Sequence, residues 1–177
     1  MEVFRLKALR DKRLVEACKK GNLKKVKKLI GKIHANEEKA LIWAADFGYL
    51  EVVKYLVEKG TDVHILDDMP LRRAAAGGHL EIIKYLIENG ANIHAGDDEA
   101  LRWLVGDGPL DAIEYLVSKG ANVRVIKLEE LASDRNILNI LLKGLSTQEL
   151  MPFLVSNSNS IRELAKRVLE RRQKLVI

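Results

Sequence analysis

The sequence predicts an all-α solenoid of helix-turn-helix units with short finger turns, closed by a helical C-terminal cap. Three observations carry that prediction. Gly48, Gly78 and Gly108 stand 30 residues apart, as do Gly60, Gly90 and Gly120, and as do Leu41, Leu71 and Leu101. The segment GYLEVVKYLVEKGTDVH recurs as GHLEIIKYLIENGANIH and, more loosely, as GPLDAIEYLVSKGANVR. Apolar residues inside each copy fall at helical spacing, and self-similarity at such a period is the signature of a stacked array.

Each element of the unit has its own residues. Leu71, Ala74 and Ala75 form a short apolar stripe whose small members let a neighbouring helix approach closely, and Pro70 sits where a first-turn proline is tolerated. This stripe predicts the first helix. Leu80, Ile82, Ile83, Leu86 and Ile87 make a wider face that ends at Gly90, suited to a left-handed C-cap, and predict the second. Between units, Ala91-Asn92-Ile93-His94 leads into Asp97-Asp98, a turn-rich stretch whose acids are read as caps of the next helix.

The skeleton also extends beyond these copies. LVEACKKGNLKKVKKLIGKIH carries it 27 residues before Leu41, and LEELASDRNILNILLKG repeats it in contracted form from Leu128. Four units and a divergent tail result. In the tail, Ser146 and Glu149 have capping-box spacing, and Pro152 should end or kink the helix they start. Ile161, Leu164, Ala165, Val168 and Leu169 make a last helical stripe. The reading is one solenoid over residues 1–177, with a basic N-terminal cap repeat over 1–33, repeats over 34–144 and a degenerate helical cap over 145–177.

These motifs, spread over residues 14 to 127, resemble the ankyrin repeat family. Gly78-His79-Leu80-Glu81 and Asn89-Gly90-Ala91-Asn92 match its signature stretches. Met69-Pro70-Leu71-Arg72 stands where the family usually has Thr-Pro-Leu-His, and the finger between Ala91 and Leu101 is about three residues shorter than usual. Such short-period repeats, with an Asp-Asp…Leu-Arg turn, are similar to those abundant in giant viruses of amoebae. The resemblance implies a module that binds a protein partner on a concave face, as a viral or pathogen factor engaging a host protein. It makes His79 of the Gly-His-Leu signature a structural residue.

Composition narrows the remaining classes. Apolar residues at 47% and charged residues at 31% are ordinary globular values, against disorder, collagen and coiled coil. Cys18 is the one cysteine, which excludes an intrachain disulfide and a multi-cysteine zinc site, and the N-terminus has no apolar signal core. A reducing cytoplasmic location is expected, the host cytoplasm if the chain is viral. The uncharged run from Leu150 to Ile161 covers 12 residues, short of the roughly 20 that span a bilayer, so no membrane segment is expected. Charge is uneven: residues 1–33 hold 12 Lys/Arg against 3 Asp/Glu, residues 34–133 hold 10 against 18, and residues 134–177 hold 8 against 4.

The candidate chemistry is thin. His34, His64 and His94 share a column, but stacked helices lie roughly 8–10 Å apart, too far for one ion to reach neighbouring rungs, so no metal is expected. The pairs Glu37-Glu38, Asp67-Asp68 and Asp97-Asp98 precede helices, where negative charge complements the dipole, so capping is preferred to carboxylate catalysis. Cys18 aligns with Ala45 and Ala75 and reads as a small core residue. No phosphate loop or nucleophile elbow occurs, and neither an enzyme nor a cofactor is expected.

The column two residues after the first-helix leucine points away from the core and holds Glu16, Trp43, Arg73, Trp103 and Glu130, which include both tryptophans of the chain. The family resemblance places this column on the concave recognition surface. It adds the ends of the first helices, Lys19, Lys20, Asp46, Phe47, Ala76, Gly77 and Asp107, and the fingertips Leu66 and Gly96. The alternative for the tryptophans is a place in the core, over the fingers. Lys24, Lys25, Lys27, Lys28 and Lys32 supply the polar outer face that a terminal repeat needs. The second functional reading, an electrostatic scaffold holding nucleic acid or an anionic surface through the basic ends, is disfavoured because no aromatics interleave those lysines. A monomer with one protein partner is expected.

Overall fold

The computed structural model describes residues 12–30, 37–131 and 134–174. Residues 12–19 form α1. It is followed by α2 (Leu23–Ile30), α3 (Glu37–Asp46), α4 (Leu50–Glu58), α5 (Ile65–Ala76), α6 (Leu80–Glu88), α7 (Ala95–Asp107) and α8 (Leu110–Ser118). The tail adds α9 (Arg135–Gly144), α10 (Thr147–Leu150) and α11 (Asn159–Lys174), with 3-10 turns at Val123–Val125, Leu128–Leu131 and Met151–Val155. Among the described residues there is no strand. Helices α3, α5 and α7 stack as a first row, and α4, α6 and α8 stack as a second, which α9 continues. This is the all-α, ankyrin-type helical repeat solenoid that the 30-residue columns predict.

The rows meet over the stripes read from the sequence. Leu41, Leu71 and Leu101 are fully buried in the first row, and Val53, Ile83 and Ile113 in the second. One apolar cluster runs from Leu14 to Val168. Each such leucine or isoleucine contributes roughly 1.5–3 kcal/mol on leaving water. Cys18 is fully buried in the Ala45 and Ala75 column, and burial pushes its thiol up to about 12, so it packs as a small apolar group. Gly60, Gly90 and Gly120 each follow a second-row helix in the left-handed conformation expected of a C-cap.

The fingers depart from the reading of their acids. Ahead of the regular part of α5, Leu66, Asp67 and Asp68 all have φ between 51° and 58°, and Gly96, Asp97 and Asp98 repeat this before α7 with φ between 55° and 59°. Three successive left-handed residues reverse the chain quickly, at a cost of about 1–2 kcal/mol for each non-glycine residue. The turn throws the second carboxylate onto the next finger. Asp68 Oδ1 accepts from Asn92 N at 2.9 Å and from His64 Nδ1 at 3.1 Å. Asp98 Oδ1 accepts from Asn122 N at 2.7 Å and from His94 Nδ1 at 3.0 Å.

Both of these side chains are almost completely buried. Asp67, Asp68 and Asp98 therefore join one repeat to the next instead of capping a helix. Glu37 and Glu38 do occupy the first turn of α3. His64 and His94 each serve the aspartate of their own finger, while His34 lies outside the described residues.

The tail closes the second row. Ser146 and Glu149 form the full capping box, with Ser146 N donating to Glu149 Oε2 at 2.6 Å. Pro152 is the second residue of the 3-10 turn Met151–Val155 that follows α10. Ile161, Leu164, Ala165 and Val168 of α11 are buried, and α11 packs on α9. Arg172 donates to the carbonyls of Lys143 and Leu145, satisfying the C-terminal end of α9. Arg124 of the last finger pairs with Glu149 and ties this cap to the array.

Two outcomes are expected from these joints. Asp68→Ala or Asp98→Ala leaves a part-buried backbone N–H without its acceptor and should each lower stability by about 1–2 kcal/mol in urea unfolding. Asp67→Ala, whose exposed carboxylate accepts only from Gly96 N and Arg72, should cost less. The second concerns acid. The hydroxyl and backbone of Ser146, and then Arg124, hold the Glu149 carboxyl down at about 2 from its ordinary 4.5. A depressed folded-state value means a contribution fully present above about 4.5 and lost as pH falls toward 2. Glu149→Gln should flatten the fall of melting temperature across that window; an unchanged acid profile would show that the box does not hold the tail.

Candidate partner-binding face

The first-row helices share one division of labour among three successive residues. Leu71 enters the core, Arg72 turns to its own finger, and Arg73 points outward. Arg72 donates from Nη1 to the Leu66 and Asp67 carbonyls and from Nε to Glu99 of the next repeat, so it holds the left-handed turn and bridges two fingers. The Arg72 guanidinium, with a smaller part from Trp103, keeps the Glu99 carboxyl below its usual range. Arg102 repeats the pattern by donating to the Gly96 carbonyl at 2.7 Å.

Of the predicted column, Glu16, Arg73 and Trp103 are exposed. Trp103 is 55% exposed, and Arg73 projects beside it in sequence order on α5, its guanidinium 3.9 Å from Asp46 Oδ1. Trp43 is half-buried: Lys19 Nζ stands 3.9 Å above its ring, and Phe47 stacks against it at 5.9 Å between centroids. Neither tryptophan enters the core cluster. Glu16 and Lys20 form an exposed pair at 3.8 Å, one turn apart. Ala76 and Asp107 are exposed at the ends of their helices, and Phe47, just past α3, is 47% exposed.

Glu130 falls in the 3-10 turn Leu128–Leu131, because the fifth unit has no full first helix. The structure thus brings Lys19, Trp43 and Phe47 into one cluster and Asp46 and Arg73 into a pair. Among the described residues it shows no bond that joins Glu16 or Asp107 to them.

Gly77 and the fingertips have local explanations. A Cβ on Gly77 would meet His79 Nε2 at 2.4 Å and the Asp46 carbonyl at 2.9 Å, and His79 Nε2 donates to that same carbonyl at 3.0 Å. Gly77 therefore clears room for the histidine of the Gly-His-Leu signature, which seals the C-terminal end of α3. Gly96 takes its left-handed conformation freely. Leu66 occupies the same position one repeat earlier, in the same conformation, with 64% of its surface in water. Folding alone favours glycine there.

Residues 41–87 match the family model described as ankyrin repeats (many copies). They are ankyrin repeats. No curated protein matches the chain. Ankyrin repeats are generally protein–protein interaction modules and typically not enzymes. Among the described residues, no three His, Cys, Asp or Glu side chains group to hold a metal ion. None of its described helices is long and apolar enough to cross a membrane.

Sequence reasoning missed Arg72, Arg102 and Glu99. The recurring Leu-Arg step was visible, but the partner of each arginine depends on the left-handed turn, which composition does not announce.

The burial pattern sets three stability outcomes. Trp103→Ala should change unfolding free energy by no more than about 1 kcal/mol, as for an exposed side chain whose bond is to the Glu99 carboxylate. Trp43→Ala should cost about 1–2 kcal/mol, the sum of a cation–π contact and an aromatic pair. Leu66→Gly should be neutral or stabilising by up to about 1 kcal/mol, since it relieves a left-handed leucine. Loss of 3 kcal/mol or more by Trp103→Ala, on the order expected of a core aromatic, would place it in the core instead.

Proposed function

We propose that the first-row face is a concave docking surface for one protein partner, with Trp43 and Trp103 as its anchors. The observation that carries the reading is the placement of both tryptophans of the chain at equivalent positions two repeats apart, outside the core cluster. Large rigid side chains in such places dominate interface energetics, where truncating an anchor costs about 2 kcal/mol or more. Phe47 and the strained, exposed Leu66 extend the apolar part. Arg73, Asp46, Lys19, Lys20, Glu16, Asp107 and Glu130 supply the polar rim, and Ala76, Gly77 and Gly96 leave room for the partner to approach.

The protein acts by binding, as a monomer of one solenoid bounded as the repeats divide it, without catalysis or a cofactor. A reducing cytoplasm suits its single buried thiol. The 30-residue period supports the narrower reading of a viral factor acting on a host protein. The competing reading, nucleic acid held by the basic ends, rests on exposed Lys24, Lys25, Lys27 and Lys28, which also suffice as a solubilising outer face.

Affinity capture from source-cell lysate, with identification by mass spectrometry, separates the readings. The intact chain should retain a discrete protein that the Trp43→Ala/Trp103→Ala double variant loses, and Arg73→Glu should weaken capture more than Arg73→Ala. Retention should persist at raised salt, whereas nucleic-acid binding falls steeply through counterion release. Full capture by the double variant would overturn the face.

A further inference from the structure

From residue 37 onward the chain has nine arginines, and six of them are engaged by the protein itself. Arg72 and Arg73 meet carboxylates, Arg102 a carbonyl, Arg124 Glu149, Arg162 the Ser156 carbonyl and Asn159, and Arg172 the end of α9. The remaining three, Arg135, Arg167 and Arg171, have no hydrogen bond or ion pair among the described residues. They share one place. All three line a groove of about 210 Å³ between α9 and α11, together with Asn136 and Asn139 and the apolar floor of Leu164 and Val168.

Arg167 and Arg171 are one helical turn apart, so both guanidinium groups reach the same side of α11, while Arg135 reaches in from the start of α9. Holding three like charges around one small space is unfavourable unless an anion offsets them. The nearby acids do not. Asp134 is spent on the backbone of Asn136 and Ile137, Glu163 pairs with Lys166, and Glu170 is not among the residues that line the groove.

We propose that this groove is an anion site for a single phosphomonoester dianion, separate from the tryptophan face. Three guanidinium groups provide forked donors that match phosphate oxygens bidentately, and the two asparagine amides add neutral donors. The site suits one doubly charged group better than a nucleic-acid strand. Its volume is local and no aromatic side chain lines it for base stacking. Phosphate esters on a peptide or on a small metabolite share this chemistry.

Amide chemical-shift titration of the full chain tests the assignment, with inorganic phosphate, phosphoserine, a phosphoserine peptide and a short single-stranded DNA at matched ionic strength. Saturable shifts should be confined to residues 135–139 and 164–171. Tighter binding of the phosphoserine peptide than of phosphoserine would identify a peptide source, and equal binding a free ester. Arg167→Gln/Arg171→Gln should weaken binding at least tenfold with an unchanged circular dichroism spectrum, whereas Lys24→Gln/Lys25→Gln should not. If the double variant proves unstable, Arg135→Gln on the facing helix carries the same expectation. Shifts spread equally over the N-terminal lysines, tighter binding of DNA than of phosphoserine, undiminished binding by the variants, or no saturation would each overturn the proposal.

Discussion

The buried carboxylates of Asp68 and Asp98 are the constraint around which the middle of the array is arranged. Each is a charged group taken out of water, which is costly unless hydrogen bonds replace hydration. Each therefore needs two donors at once, a histidine from its own finger and a backbone N–H from the next. Satisfying both fixes the spacing between neighbouring fingers and hence the rise from one repeat to the next. The chain bends left-handed through three residues to present that oxygen, and the bonds gained offset the strain of the turn. Asn92 links the chain of bonds onward, because its N–H donates to Asp68 while its own Oδ1 accepts from His94 N.

Column spacing tells where this device operates. Leu41, Leu71 and Leu101 are 30 apart, but Leu14 precedes Leu41 by 27 and Leu128 follows Leu101 by 27. The missing three residues equal the left-handed triplet, and after Asp98 no described non-glycine residue has positive φ. The residue after the first-row leucine changes in step: it is Arg72 or Arg102 behind a triplet, and Ile42 or Glu129 after a 27-residue step. The arginine is thus a partner of the turn rather than a general surface residue.

The fold was legible because helix faces and repeat columns are properties of spacing, and spacing is what a sequence displays. The capping box of Ser146 and Glu149 was legible for the same reason, since donor and acceptor lie three residues apart. Asp68 and Asp98 were misread because their role depends on a backbone state that aspartate adopts rarely, and on a donor 24 residues away. Of the candidate face, the outward direction of Trp103 and Arg73 followed from helical phase alone. The lean of Trp43 onto Phe47 beneath Lys19 did not, because it depends on how far α1 stands from α3. That Arg135, Arg167 and Arg171 have no partner among the described residues was equally hidden, since nothing local says which helices will cross.

Helical phase likewise separates core positions from outward ones in this scaffold. Three consecutive residues of α5 point about 100° apart, so Leu71 can serve only the core, Arg72 only the finger and Arg73 only the open side. Substitution at the third position removes no backbone acceptor and empties no cavity. In α3, α5 and α7 that position carries an aromatic, a cation and an aromatic in turn, while the first position stays leucine throughout. The core therefore constrains the order of the array and leaves the chemistry of its face free. Leu66 is the exception that links the two, because its outward apolar side chain sits within the strained turn itself, so the turn that sets repeat spacing also sets where that fingertip stands in water.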